Sequence, residues 1–376
     1  MVKDETTSYP ALQRMSLPGL DIITLNKETH REYFLTSVRE DNTSVESLFH
    51  RMGEAVRERE AHIISQEIFG ISDKSGAVMR ALEGAVGGMT IPLTWLEDGH
   101  AANLYGTHLH AVSGIKVERL ELGGRVIGSV FEDDAARYCH LGGLLPRHAQ
   151  RSRSEQAAEI FEQIEEVLQT AGMGFNHVLR TWFYNDRILD WYGDFNGVRD
   201  RFFHKKRVYE GLLPASTGVG GRNCAGTALV NGLLAVKAKG DGVRAFEVPS
   251  PLQSAAREYG SSFSRAVELD LPDHRRLYVS GTASIDASGK TVHVGDPKAQ
   301  VTLTMEVVHA ILKSRGMDWT DVTRALAYFK HAEHAPIFER VRTRKHVGPF
   351  PAVIVQNDIC RDELLFEIEV DAIRTF

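Results

Sequence analysis

The chain has 376 residues, too many for one ordinary domain and suited to two or three. Apolar residues make up 43 % and charged residues 25 %, the balance of a globular protein long enough to bury a sizeable core. A net charge of -6 and a pI near 6.3 argue against a nucleic-acid binder held by phosphate contacts. No apolar run reaches the roughly 18 residues of a membrane span, and Met1 to Glu5 lacks the apolar core of a signal peptide. Three widely spaced cysteines, Cys139, Cys224 and Cys360, indicate reduced thiols and a cytoplasmic protein rather than a disulfide framework. No CxxC pair is present, and no metal or other cofactor is expected.

In chain order, residues 1–28 read as an arm or edge strand and 31–38 as a strand. Ser44 caps a helix over 45–60, followed by a strand to Phe69 and a helix over 78–86 ending at Gly87-Gly88. Strands follow at 91–95 and 105–112, the latter carrying His108 and His110 on one face as ordinary polar-face histidines. His331 and His334 read the same way. A second unit opens near Lys116 with short strands at 117–122, 125–131 and 138–141. Ser152 and Glu155 have capping-box spacing for a helix that runs to Ala171 and stops at Gly172. A strand over 178–184, a helix over 191–203 and strands at 213–217 and 229–238 complete it. Residues 239–256, with Gly240, Gly242, Pro249 and Pro251, read as a linker.

The third unit repeats the second. Gln156 matches Gln300, Gly172-Met173 matches Gly316-Met317, and Val178-x-Arg180 matches Val322-x-Arg324, all at one offset of 144 residues. Phe195 and Arg199 match Phe338 and Arg342, and Pro214-Ala215 matches Pro351-Ala352. Arg199 and Arg342 read as surface salt-bridge partners on helices. The first unit shows the same helix–strand–helix order over 45–95, with its first hairpin lost or displaced. The expected fold class is α+β: three modules, 1–115, 116–250 and 251–376, each a mixed sheet covered by two helices, forming a pseudo-trimer in one chain.

The closing strand carries Glu367 and Glu369 on one face and Phe366 and Ile368 on the other. A carboxylate on a core strand is costly unless paired or protonated. Two readings stay open: an edge strand with a wet polar face, or an acid facing a pocket. In the second, Glu369 keeps Glu367 protonated by like-charge repulsion. Cys360 is either a small buried apolar residue or part of the site. Gly218-x-Gly220-Gly221 precedes no helix and implies no phosphate cradle.

Gly281-Thr282-Ala283-Ser284-Ile285-Asp286, Gly295-Asp296, Gln300, Gly316, Asp321-Val322 and Glu367-Ile368-Glu369 resemble the YjgF/RidA superfamily. That resemblance implies a chorismate-mutase-like fold, trimers, and ligand pockets between modules. Its imine-deaminating members carry an arginine after the late Pro-Ala; here Ser216 and Val353 stand there, which predicts weak imine hydrolysis. Phe263-Ser264-Arg265-Ala266, Ser280 to Ser284, Val292-His293-x-Gly295-Asp296 and Asp358-x-Cys360-Arg361 with Glu367 are similar to the chorismatase branch, whose modules are fused. This likeness implies hydrolysis of a chorismate-type enol ether with release of pyruvate. It maps the catalytic acid to Glu367 and a product-steering position to Cys360. Arg265, Gly281, Thr282, Arg361 and Glu369 are then the substrate-binding residues. The long N-terminal region and the Asp286 to Lys290 loop depart from that branch. A small carboxylate substrate is the expected partner, with no nucleic acid or membrane, for a monomer or low-order homo-oligomer. A non-catalytic ligand-binding protein and an enamine/imine deaminase are the alternatives.

Overall fold

The computed structural model describes residues 11–40, 43–72, 76–87, 90–97 and 104–376. The first unit contains β1 (Ala11–Leu17), β2 (Leu20–Asn26), β3 (Arg31–Val38), α1 (Val45–Glu58), β4 (His62–Phe69), α2 (Gly76–Val86), β5 (Leu93–Glu97) and β6 (Gly106–Ser113). The second contains β7 (Val117–Leu122), β8 (Arg125–Glu132), β9 (Ala136–Leu144), α3 (Arg153–Thr170), β10 (Val178–Asn185), α4 (Tyr192–Lys205), β11 (Ala215–Gly220), β12 (Arg222–Asn223) and β13 (Leu229–Ala238). The third contains β14 (Arg244–Val248), β15 (Ala266–Asp270), β16 (His274–Ala283), α5 (Pro297–Ser314), β17 (Val322–Phe329), α6 (Pro336–Arg344), β18 (Ala352–Gln356) and β19 (Phe366–Thr375).

Three sheets result, ordered β1-β2-β3-β6-β4-β5-β12, β11-β10-β13-β9-β8-β7 and β14-β15-β16-β19-β17-β18. Each has one parallel pair, β4–β5, β10–β11 or β17–β18, joined through a crossover helix; the remaining pairs are antiparallel. The same register shift recurs in all three, at Ile63/Ser65, Val178/Arg180 and Val322/Arg324. The chain is thus a pseudo-trimer of α+β layers.

Local signals place the helices. Ser44 accepts the Ser47 N–H, Ser152 and Glu155 close a capping box, and Asp296 accepts the Ala299 N–H ahead of Pro297. Gly172 and Gly316 take φ of +71° and +69°, the left-handed turn that ends each long helix. The end expected at Gly87-Gly88 lies partly outside the described residues, which omit Gly88 and also residues 1–10. Two expectations change. Residues 11–26 form the hairpin β1–β2, so the first unit keeps the hairpin expected to be lost. The expected linker contains β14, paired along its whole length with β15. It escapes notice because an edge strand of composition RAFEV between glycines and prolines has almost no apolar alternation.

One face of each sheet packs under its helices, as Phe366 and Ile368 of β19 do. The opposite faces meet in a shared central core containing Phe69, Tyr138, Tyr184, Leu326 and Tyr328. Fully burying an apolar side chain such as Phe69 or Leu326 stabilises by roughly 1.5–3 kcal/mol. β19 lies between β16 and β17, so it is an interior strand, and the edge-strand reading fails.

Candidate functional site between the second and third sheets

Corresponding strand positions show where an acid is present. Glu367 lies opposite Tyr328, Val230 opposite Tyr184, and Gly106 opposite Phe69. Only the third module therefore places a carboxylate at this position. Among the described residues, the other two module boundaries are closely packed at the corresponding places: a Cβ on Gly106 would lie 2.9 Å from Val353, and one on Gly143 would overlap the Leu93 carbonyl. Val353, at the deaminase-arginine position, is thus a packing residue.

The cleft beside Glu367 encloses a cavity of about 50 Å³. The second module contributes Tyr192 and Arg199 from α4 with Ser216 and Gly218 from β11. The third contributes Phe263, Arg265, Gly281, Cys360, Arg361 and Glu367. Glu367 is 4 % exposed. Burial, reinforced by the Glu369 charge, pushes its carboxyl up to about 8, against the opposing pull of Arg180 and Arg265. It is a neutral acid at pH 7. Gly281 makes room for it, since a Cβ there would overlap Glu367 Oε1. Burial, with Glu367 nearby, pushes the Cys360 thiol to about 12, so Cys360 is an uncharged wall residue packed with Ala283, Ile285, Ile359 and Leu364.

Three arginines surround the cavity. Arg265 Nε donates to the Ser254 carbonyl at 3.0 Å, and its guanidinium stands 5.7 Å from the Phe263 ring centre. Arg361 Nη1 donates to the Gly289 carbonyl at 2.8 Å. Arg199 was expected on the surface. Instead it is 2 % exposed, donates to Asn196 Oδ1 at 2.9 Å and faces the cavity. Its repeat counterpart Arg342 does form the surface pair, with Glu339. The helix pattern is the same in both; what differs is that Arg199 lies over the cavity beside Glu367.

Glu369 and Thr282 do not line this cavity. Thr282 Oγ1 donates to the Ser280 carbonyl at 2.8 Å. Glu369, fully buried behind Glu367, accepts from Arg324 Nη1 at 2.6 Å, Trp182 Nε1 at 2.8 Å and Arg180 Nη2 at 2.9 Å. Burial would raise its carboxyl, but Arg324 and Arg180 outweigh that and hold it ionised. Arg324 also binds Glu67 of the first module at 2.6 Å, so all three modules join one buried charge network.

A second cavity, of about 80 Å³, lies where the three sheets meet and is walled by His108, His110, Glu67 and Arg324 among others. The two histidines, expected as ordinary polar-face residues, are buried. His108 lies 2.9 Å from both Thr36 Oγ1 and the Ala325 carbonyl, and His110 lies 3.2 Å from Glu32 Oε2. Burial holds both neutral. Glu67 is paired to Arg324, and Glu32 to Arg276, so the charges here neutralise one another. Among the described residues, no group of three or more His, Cys, Asp or Glu is placed to hold a metal ion, and no helix is long and apolar enough to cross a membrane.

The chain is a fused α+β pseudo-trimer whose cavity beside Glu367 lies between the second and third modules. Residues 255–374 match the family model described as Endoribonuclease L-PSP. Two curated relatives come from Streptomyces hygroscopicus. A 3-hydroxybenzoate synthase is 26 % identical over 275 residues, 63 % of this chain and 76 % of its own length. A chorismatase is 26 % identical over 223 residues, 53 % of this chain and 62 % of its own length. A chorismatase crystal structure superposes with a TM-score of 0.63 at 19 % identity, covering 91 % of this chain and 98 % of that one; this likeness shows the fold. Residues 255–374 are thus similar to the L-PSP (YjgF/RidA) family, and the chain has the fold of a chorismatase.

Proposed function

We propose that the chain is a chorismatase-like hydrolase/lyase acting on a small carboxylate-bearing enol ether of the chorismate type. The observation that carries this reading is a carboxylic acid, protonated at neutral pH, at the one cleft position of three that holds an acid, with Arg199, Arg265 and Arg361 around the same cavity. Enol-ether cleavage needs a proton on the terminal vinyl carbon, which leaves an oxocarbenium at the ether carbon. Water adds there, and the hemiketal collapses to pyruvate and the ring alcohol. Glu367 supplies the proton, and its conjugate base then accepts one from the attacking water. The arginines suit a dicarboxylate because guanidinium pairs with carboxylate through two parallel hydrogen bonds. Gly281 and Cys360 are wall residues that shape the space beside the reacting carbon.

The two S. hygroscopicus relatives agree with this chemistry. The test is incubation with chorismate and measurement of pyruvate. The protein should release it, and Glu367→Gln should lower turnover by roughly 10²–10⁴-fold while the fold persists. No pyruvate from the wild-type protein, or an unchanged rate in the Gln variant, would sink the reading. Ammonia release from 2-aminoacrylate at a higher rate would favour an imine deaminase.

A further inference from the structure

Glu367 lies against a strand irregularity that the neighbouring module holds in place. β16 shifts register against β19 between Val279 and Thr282, and Gly281 lies inside that bulge, against the carboxyl. The Gly281 N–H donates across the module boundary to Thr217 Oγ1 at 3.0 Å. The same oxygen accepts Arg180 Nη2 at 2.6 Å. With both acceptor positions of the hydroxyl occupied, its proton is left for Glu369, which Thr217 helps to keep ionised. One residue earlier, Ser280 Oγ accepts the Ser216 N–H at 2.8 Å and donates to the Ser264 carbonyl at 2.5 Å. β11 therefore grips β16 at Ser280 and at Gly281. Thr217 itself is 1 % exposed and is not part of the cavity wall, so it meets no substrate.

We propose that Thr217 is a positioning residue for Glu367: its hydroxyl fixes the Gly281 bulge from the adjacent module and so sets the place and dryness of the acid. This rests on the reading of Glu367 as the proton donor. A bulge N–H inside the protein needs an acceptor. Without the Thr217 oxygen the bulge relaxes toward another one, and water reaches the carboxyl.

Thr217→Val keeps the side-chain shape and removes the oxygen, whereas Thr217→Ser keeps the oxygen. On chorismate, Val should lower kcat by about 10–100-fold, the scale of a misplaced catalytic group, with KM changed by less than about twofold. Ser should recover most of the loss. Without any substrate, the Glu367 carboxyl can be titrated by carbon NMR of glutamate-labelled protein. Its midpoint should fall by about one pH unit in the Val variant as water relieves the burial, and should hold in the Ser variant. A folded Val variant with unmoved midpoint and kcat, or Ser and Val variants that behave alike, would overturn the proposal. If wild type releases no pyruvate, the functional reading fails while the titration still decides the role of Thr217. If Thr217→Val does not fold, Ser280→Ala, which frees the same bulge from Ser216 and Ser264, is read by the same midpoint: a fall supports the clamp and an unchanged value refutes it.

Discussion

Glu367 and Glu369 are two residues apart on one strand face, yet one is neutral and the other ionised, because their partners differ. Glu369 meets two guanidinium groups and an indole N–H, whereas burial dominates at Glu367. With Glu367 near 8, turnover should be level below that pH and fall roughly tenfold per unit above it. A pH–rate profile already falling from pH 5 upward would contradict the assignment. Stability follows with a defined sign. A carboxyl raised in the folded state contributes stability that is fully present below its unfolded value near 4.5 and is lost as pH rises to about 8. The slope is about 1.4 kcal/mol per pH unit for one proton. Glu367→Gln lacks this loss, so urea unfolding should show the variant gaining on wild type between pH 5 and 8. Equal pH dependence of the two proteins would mean that Glu367 titrates normally. That Glu367 is an acid within an apolar strand was legible in the sequence; that Arg199 is buried beside it was not, because Arg342 occupies a matching helix position and pairs with Glu339 instead.

At the scale of elements, the cap of α3 and the glycine stops of α3 and α5 were readable because their hydrogen bonds close within a few residues. The β1–β2 hairpin and β14 were harder. Edge strands bury little, so their composition barely differs from that of a loop. The β16 bulge left no signal beyond a glycine, since its purpose appears only when Glu367 of β19 is laid against it. Gly281→Ala should therefore displace the carboxyl. The expected cost is about 1–3 kcal/mol in denaturant unfolding, as for overpacking elsewhere, with turnover falling alongside. Full stability and full activity in that variant would show that the strand yields freely. Gly220 of β11 has a similar cause: its N–H donates to the Asp358 carbonyl at 2.7 Å, and a Cβ would lie 2.9 Å from the Asp358 side chain. It permits close backbone approach, and no helix follows to make a phosphate cradle.

In the whole molecule, the three sheets share one core and one buried ion network, so the modules should unfold together. Arg324→Met leaves Glu67 and Glu369 buried without a shared cation. It should cost about 3–5 kcal/mol by chemical denaturation, with a single transition retained in wild type. A loss below about 1 kcal/mol would mean the pair is solvated. Residues 251–376 alone would expose Leu326, Tyr328 and Val353, which are now at most 1 % exposed. Light scattering should find that fragment associated rather than monomeric. The sequence by itself determined the repeated α+β modules and singled out Glu367, because helix caps, strand alternation and a constant offset are short-range or periodic features. Only the tertiary structure decided that a cavity lies beside Glu367, which arginines face it, and that Glu369 serves as a fixed charge. Those outcomes depend on contacts such as Arg180 to Glu369, 189 residues apart, which exist only once three sheets have packed face to face.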